Sequence, residues 1–134
     1  MDKLFYMFGY LKHKHNGTLV FDHTYPVVDY ETFPFHDWSN FYGDTKEVEP
    51  PDAPKPRGKG FMMIAFVDAD LAGNKVTRNS RTGFIIYLNQ APIYWLSKKQ
   101  NGVESSTFGS EFIAMKQCCE YIRGLRYKLR MMAI

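Results

Sequence analysis

Residues 61–70 read FMMIAFVDAD. Its first seven residues are apolar without interruption, which is typical of a buried β-strand. Asp68 and Asp70 follow the apolar run, and Gly73-Asn74 is a turn signal shortly after them. The sequence therefore predicts a strand over residues 61–67 with carboxylates at its end. On a longer strand Asp68 and Asp70 would point to the same side, but the turn signal indicates that the strand ends at Asp68, so that the sheet fixes Asp68 alone.

Two more strands and a helix follow along the chain. Apolar runs over residues 82–88 and 91–96 predict strands, and their short links favour antiparallel neighbours. Ser105-Ser106-Thr107 are residues that commonly cap a helix, and an apolar stripe at helical spacing follows them. The stripe consists of Phe108, Phe112, Met115, Cys119, Ile122, Leu125, Leu129 and Met132. We therefore expect an α/β (α+β) fold with three antiparallel strands followed by a long helix.

The first 60 residues differ in composition from the rest. Apolar spacing over residues 4–11 predicts a short helix, and residues 18–21 predict a short strand. Residues 22–60 hold six of the seven prolines together with many acidic and aromatic residues, which predicts an irregular linker. Its aromatics are Tyr25, Tyr30, Phe33, Phe35, Trp38, Phe41 and Tyr42. A nucleic-acid stacking surface is one alternative for them, but we expect them to pack on the chain's own core or against a neighbouring part of a larger assembly. We further hypothesise that the linker folds back over the face of the sheet that the long helix leaves open.

Composition and charge exclude several classes of protein. The chain has 134 residues, of which 45% are hydrophobic and 23% charged, so it is neither disordered throughout nor a disulfide scaffold. No apolar run approaches the length of a membrane span, so no membrane partner is expected. Residues 1–60 hold seven basic and nine acidic residues, whereas residues 61–134 hold ten and five. The basic second half is compatible with a polyanionic partner and equally with solvated helix faces.

Two carboxylates on separate elements are the candidates for chemistry. Asp68 follows the first strand, and Glu111 lies one turn into the long helix. A helix laid across the three strands would bring Glu111 towards the end of the first strand. Carboxylates held by two rigid elements suit Mg²⁺, although acidic residues at strand ends are most often only solvated.

Four ordered motifs in residues 61–134 carry a family resemblance. They lie at residues 66–73 (FVDADLAG), 78–83 (RNSRTG), 92–100 (PIYWLSKKQ) and 103–114 (VESSTFGSEFIA). In this order and spacing they resemble the ribonuclease H (RNase H) segment of copia-type LTR retrotransposon Pol polyproteins. Residues 1–21 are similar to the tail of the reverse-transcriptase connection region. The predicted organisation is thus 1–21 connection tail, 22–60 linker, and 61–134 N-terminal half of an RNase H-like domain.

The resemblance implies an activity and a set of site residues. The family hydrolyses the RNA strand of RNA–DNA hybrids with two Mg²⁺ ions. Asp68 matches the aspartate that bridges both ions, and Glu111 matches the glutamate that binds one ion and orients the attacking water. The implied partners are an RNA–DNA hybrid or other nucleic acid and the remainder of the reverse-transcriptase polyprotein. The family works inside cells, in cytoplasmic particles and, through its DNA product, in the nucleus.

The sequence departs from the family pattern in two places. Leu71 stands where the family usually has Trp or His. The family's third catalytic aspartate lies on a fourth strand after the first helix, and a fourth carboxylate comes later; this chain reaches Ile134 before that strand. Asp70 is a further candidate ligand, without support from the family pattern. We therefore expect the chain to be inactive, or nearly so, on its own.

Two non-catalytic alternatives remain open. Lys98, Lys99, Arg123 and Arg126 are candidates for phosphate contacts in a nucleic-acid-binding remnant. Cations near the end of a helix also stabilise the helix itself, which is an equally good explanation of the two arginines. In the second alternative, residues 61–67 pair with a strand of another chain.

Overall fold

The computed structural model describes residues 2–32, 34 and 36–134, and it confirms the predicted α+β order. Three helices and three strands are described: α1 (Asp2–His13), α2 (Ser39–Tyr42), β1 (Met63–Asp70), β2 (Arg81–Leu88), β3 (Ala91–Lys99) and α3 (Thr107–Met131). Phe33 and Phe35, two of the linker aromatics, lie outside the described residues.

The sheet is antiparallel throughout, with β2 in the centre and β1 and β3 at the edges. The predicted turn between β2 and β3 is confirmed, and Asn89 adopts the left-handed conformation there with φ of 55°. β1 extends to Asp70, paired with Arg81. The expectation that β1 ends at Asp68 is wrong, because the ladder to β2 continues for two more residues.

One face of the sheet forms the core with α3. Residues directly opposite each other in paired strands share a face, so Val67 lies beside Phe84, and Ala65 beside Ile86. Phe84 and Ile86 are buried and form the centre of the core with Cys118 of α3. α3 contacts both β1 and β2. Its buried stripe includes Ser110, Ala114 and Cys118, so small side chains let the helix approach the sheet closely.

The opposite face, which we call the outer face, is largely uncovered. Its apolar half is made of Ile64 and Phe66 on β1, Ile85 and Tyr87 on β2, and Trp95 on β3. Phe66 and Trp95 are each 61% exposed. Its polar half holds Asp68, Asp70, Arg81 and Lys99. The expectation that the aromatic linker covers this face is therefore wrong.

Part of the linker lies against α3 instead. Residues 47–60, which we call the strap, contact the C-terminal half of this helix. The Arg57 backbone N–H donates to the Ala133 carbonyl at 2.8 Å. Glu47 pairs with Arg126 and Arg130, with N–O distances of 2.5 and 3.0 Å. A cavity of about 570 Å³ separates the strap from α3 and the start of β1.

The remainder of the first half is mostly exposed. The predicted strand over residues 18–21 does not form, because none of the three described strands pairs with this segment. The described linker aromatics are more than half exposed and so do not pack on the core as expected. The Asp37 carboxylate, two residues before α2 begins, accepts from the Ser39 backbone N–H, which lowers the pKa of this carboxyl group. None of the described helices combines the length and apolar character needed to cross a membrane.

Candidate functional site

Asp68 and Asp70 are fixed by the sheet on the same side of β1. Both are exposed and alternate with buried Ala69, as side chains along a strand do. Asp68 lies opposite Gly83, so no side chain from β2 crowds it. The Asp70 carboxylate is turned against Gly73 and lines a cavity of about 240 Å³ with Arg81 and Lys99. Asp70 therefore faces cations rather than another carboxylate.

Glu111 lies where α3 crosses β1. It is half-buried and borders a groove lined by apolar side chains of both elements: Ala65, Val67, Phe108, Phe112 and Met115. Val67 immediately precedes Asp68, so Glu111 lies beside the strand that carries the first aspartate. Alternation along β1 places Asp68 on the outer face and Val67 on the α3 side. Asp68 and Glu111 therefore approach the same edge strand from its two sides.

The beginning of α3 is held in place by polar contacts. The Ser106 hydroxyl accepts from the Gly109 backbone N–H at 3.1 Å, which confirms the predicted cap. The Gln100 side-chain amide, just beyond β3, donates to the Ser110 carbonyl at 2.9 Å and to the Thr82 hydroxyl at 3.1 Å. Ser110 precedes Glu111, and Thr82 lies opposite Ala69. Gln100 thus links α3, which carries Glu111, to β2, the strand that pairs with β1.

Sequence reasoning did not single out Gln100 as a site-positioning residue. The available signal was a polar side chain directly after a strand, next to two lysines in the motif SKKQ. Its side chain is only 1% exposed. An uncharged polar residue directly after a strand is more typical of the beginning of a loop than of a buried side chain that links two elements.

The arrangement supplies two candidate ligands for a divalent cation. Carboxylate oxygens are the ligands that Mg²⁺ prefers, and Asp68 and Glu111 offer them from a strand and a helix. Within the described part of the chain, no group of three or more His, Cys, Asp or Glu side chains gathers into a possible metal site. The described residues therefore fall short of the carboxylate cage that two-metal phosphodiester chemistry requires.

The four candidate phosphate-binding residues do not form one patch. Lys98 and Lys99 are exposed at the end of β3, close to the beginning of α3. Arg123 is exposed on α3, and Arg126 is paired with Glu47 of the strap. Because a helix rises about 1.5 Å per residue, Arg126 lies about 24 Å along α3 from Ser110. The lysines and arginines would therefore contact different parts of a ligand.

Comparison with known proteins finds similarity to transposon polyproteins. The chain is 43% identical over 56 residues to a Retrovirus-related Pol polyprotein from transposon RE1 of Arabidopsis thaliana. It is 41% identical over 56 residues to the corresponding polyprotein from transposon RE2 of the same plant. Each match covers 42% of this chain but 4% of the polyprotein. The chain is therefore similar to a small piece of a retrotransposon Pol polyprotein.

A third relative is named as a secreted effector and not as a transposon polyprotein. The chain is 33% identical over 58 residues to the Secreted RxLR effector protein 161 of Plasmopara viticola, a match that covers 43% of this chain and 41% of that protein. No protein-family model matches the chain, and no solved structure matches it.

Proposed function

We propose that this chain is a piece of a copia-type retrotransposon Pol polyprotein and that residues 61–134 are the first half of its RNase H-like domain. The observation that carries the proposal is the 43% identity over 56 residues to a transposon Pol polyprotein. The order of three antiparallel strands and a long helix supports it. In this proposal, residues 1–21 are the tail of the reverse-transcriptase connection, and residues 22–60 are the linker.

Asp68 and Glu111 are the proposed catalytic carboxylates. Bound Mg²⁺ ions would stabilise the attacking and leaving oxygens during cleavage of the RNA strand. In this proposal the chain presents one carboxylate on each side of β1, and Gln100 helps to hold α3 in position against the sheet. Because two carboxylates do not complete a two-metal cage, we assign no hydrolytic step to these 134 residues alone. The substrate of the proposed parent domain is an RNA–DNA hybrid.

A cleavage assay tests the proposed inactivity of the chain. We expect no cleavage of a labelled RNA–DNA hybrid in Mg²⁺ beyond that seen with Asp68→Asn and Glu111→Gln. Cleavage by the wild-type chain that both substitutions abolish would contradict the expectation and show that other groups complete the site. Asp70→Asn would then show whether Asp70 is one of them.

Metal binding tests the proposed site independently of activity. Mn²⁺ should broaden the amide NMR signals around Val67 and around Glu111 together, because in the proposed site the two carboxylates would reach one ion at the edge of β1 from its two sides. Asp68→Asn and Glu111→Gln should each remove the broadening at both places. Glu120→Gln is the matched control, since Glu120 is an exposed glutamate on the same helix. Broadening that survives either site substitution would refute the shared site.

A nucleic-acid-binding remnant is a second candidate function. The observation that favours it is the exposure of Lys98 and Lys99 beside Arg81 at one end of the sheet. Affinity for the hybrid should fall steeply with salt, and Lys98→Ala with Lys99→Ala should weaken binding and flatten that dependence. Arg126→Ala should have a smaller effect, because Arg126 already binds Glu47. Salt-independent affinity would exclude this candidate.

The strand-pairing alternative rests on the edge position of β1. In the described sheet β1 has a neighbour on one side, and its eight residues include no proline or lysine that would discourage pairing. Pairing through this edge predicts dimers at high concentration. Sedimentation as a monomer over the whole accessible concentration range would argue against it.

A further inference from the structure

Helix α1 has an apolar face that packs on no other described helix or strand. Leu4, Met7, Phe8 and Leu11 recur at helical spacing and form what we call the α1 stripe. Each is more than half exposed, and no contact joins α1 to another described helix or strand. An isolated helix of 12 residues is only marginally stable in water, since most helices are stabilised by packing their apolar face. The α1 stripe therefore requires a surface to cover it.

The outer face of the sheet offers a surface of matching character. Its apolar half is continuous across the strands, because Phe66 lies opposite Ile85 and Ile85 lies opposite Trp95. Phe66 contacts Tyr87 edge to face, with ring centroids 5.9 Å apart. A contiguous exposed apolar patch on a sheet is typical of an interaction surface.

The chain itself ties α1 close to this surface. The Asn89 side-chain amide donates to the His23 carbonyl at 2.8 Å, and Gln90 donates to the Thr24 hydroxyl at 2.5 Å. Asn89 and Gln90 form the turn at the end of the sheet where the outer face is apolar. Only residues 14–22 separate α1 from this anchor. Nine extended residues span at most about 30 Å, so α1 can reach the outer face and cannot stray far from it.

Length and charge define how the helix would lie. α1 is about 18 Å long, and the distance along β1 from Ile64 to Asp70 is about 20 Å. With the start of α1 over Ile64, its basic last turn reaches the polar half of the outer face. The acidic groups there, Asp68 and Asp70, lie on β1, whereas Arg81 and Lys99 lie on β2 and β3. Lys12 of α1 is therefore attracted to β1 and repelled from β3.

We propose that α1 of this chain docks lengthwise on the outer face, with the α1 stripe on Phe66, Ile85 and Trp95. The structure shows α1 away from this face, and docking closes the molecule into a helix–sheet–helix sandwich. The α1 stripe and the apolar half of the outer face are then buried against each other. This inference does not depend on the proposed nuclease origin.

Fluorescence of Trp95 in the full chain tests the docking. The chain has two tryptophans, so Trp38→Phe leaves Trp95 as the only reporter. In this background we expect Trp95 to be protected from acrylamide quenching. Leu4→Asp with Phe8→Asp should abolish the protection and shift the emission to the red. Tyr6→Asp with Tyr10→Asp, which changes the opposite side of α1 by the same chemistry, should leave both properties unchanged.

Two results would overturn the proposal. Equal quenching of Trp95 in the parent, the stripe variant and the control variant would show that the outer face stays open. Protection that grows with protein concentration, together with dimers in sedimentation, would show that a second copy covers the face instead. Circular dichroism of the stripe variant distinguishes lost docking from lost folding, because β1, β2, β3 and α3 should retain their signal.

Discussion

At the scale of single residues, Gln100 connects three elements through one buried amide. It follows β3, and its side chain donates to Thr82 on β2 and to the Ser110 carbonyl on α3. Gln100→Leu removes the two buried hydrogen bonds that link β2 to α3, and because each contributes about 0.5–1.5 kcal/mol, we expect a loss of about 1–3 kcal/mol in the free energy of unfolding. Urea denaturation followed by circular dichroism measures the loss.

A glutamine at the surface supplies the control for this prediction. Gln90→Leu changes the same side chain at the exposed β2–β3 turn and removes only a solvent-exposed hydrogen bond to Thr24, so we expect a change within about 0.5 kcal/mol. Equal effects of the two substitutions would show that Gln100 does not bridge the elements. In the Mn²⁺ experiment, Gln100→Leu should also weaken the broadening near Glu111, because Gln100 holds the beginning of α3 against the sheet.

The buried thiol of Cys118 makes stability depend on pH. Burial raises the pKa of Cys118 above its ordinary value of 9.0, and the neighbouring Cys119 adds to the effect. At pH values well below 9.0, the folded and the unfolded chain both keep the thiol proton, so Cys118 does not make the free energy of unfolding depend on pH. As the pH rises past 9.0, the unfolded chain loses the proton first, and stability falls until the folded thiol also ionises.

The stability difference between a Cys118→Ala variant and the wild type should therefore depend on pH. The variant should be less stable than the wild type at pH 7.5, because it leaves a cavity beside Phe84 and Ile86. The difference in unfolding free energy should narrow at pH 10, where only the wild type carries the ionisation cost. A difference that stays constant, measured by urea denaturation at both pH values, would contradict the assignment. Because Cys119 is exposed, the difference in unfolding free energy between Cys119→Ser and the wild type should change little between the two pH values.

At the scale of elements, the beginning of α3 rests on its cap. The Ser106 hydroxyl accepts from the Gly109 backbone N–H. Ser106→Ala should therefore cost about 1 kcal/mol of stability. Ser105→Ala is the matched control, because Ser105 is exposed and precedes the cap. Thermal denaturation should show a lower Tm for Ser106→Ala alone, and an equal drop in both variants would reject the cap as the cause.

The elements after residue 61 could be predicted because local pattern and tertiary packing agree there. Apolar runs marked β1, β2 and β3, and the helical stripe with its serine cap marked α3. The end of β1 was misplaced because pairing with Arg81 holds Asp70 in the ladder, and a partner strand is not visible in local sequence. Residues 18–21 have the composition of a strand but find no partner.

The candidate site was predictable only in part for a related reason. Asp68 and Glu111 were identified from motif and spacing, and the fold does bring α3 across β1 beside Val67. The separation of the two carboxylates onto opposite sides of that strand depends on which face α3 covers. The orientation of the Asp70 carboxylate depends on Gly73, whose missing side chain leaves it room. Both the side on which each carboxylate lies and the orientation of Asp70 are set by tertiary packing, which local sequence does not show.

At the scale of the whole molecule, the compact unit begins before the sheet. The strap is tied to the C-terminal end of the molecule by the Glu47 pairs with α3 and by the hydrogen bond from the Arg57 N–H to the Ala133 carbonyl, and it lines one cavity with apolar side chains such as Ile122 and Leu129. The ion pairs are partly exposed, so each contributes at most about 1 kcal/mol.

Limited proteolysis distinguishes this boundary from one at residue 61. Chymotrypsin should cleave first at the exposed aromatics between Tyr25 and Tyr42, and trypsin should cleave first after Lys46. Both enzymes should leave a stable fragment that retains the strap, because extended segments are cut where few contacts hold them. Mass spectrometry of the time course identifies the first residue of that fragment. Early tryptic cleavage after Arg57 or Lys59 would mean that the strap detaches from α3, and Glu47→Lys should hasten those cuts by replacing attraction to Arg126 and Arg130 with repulsion.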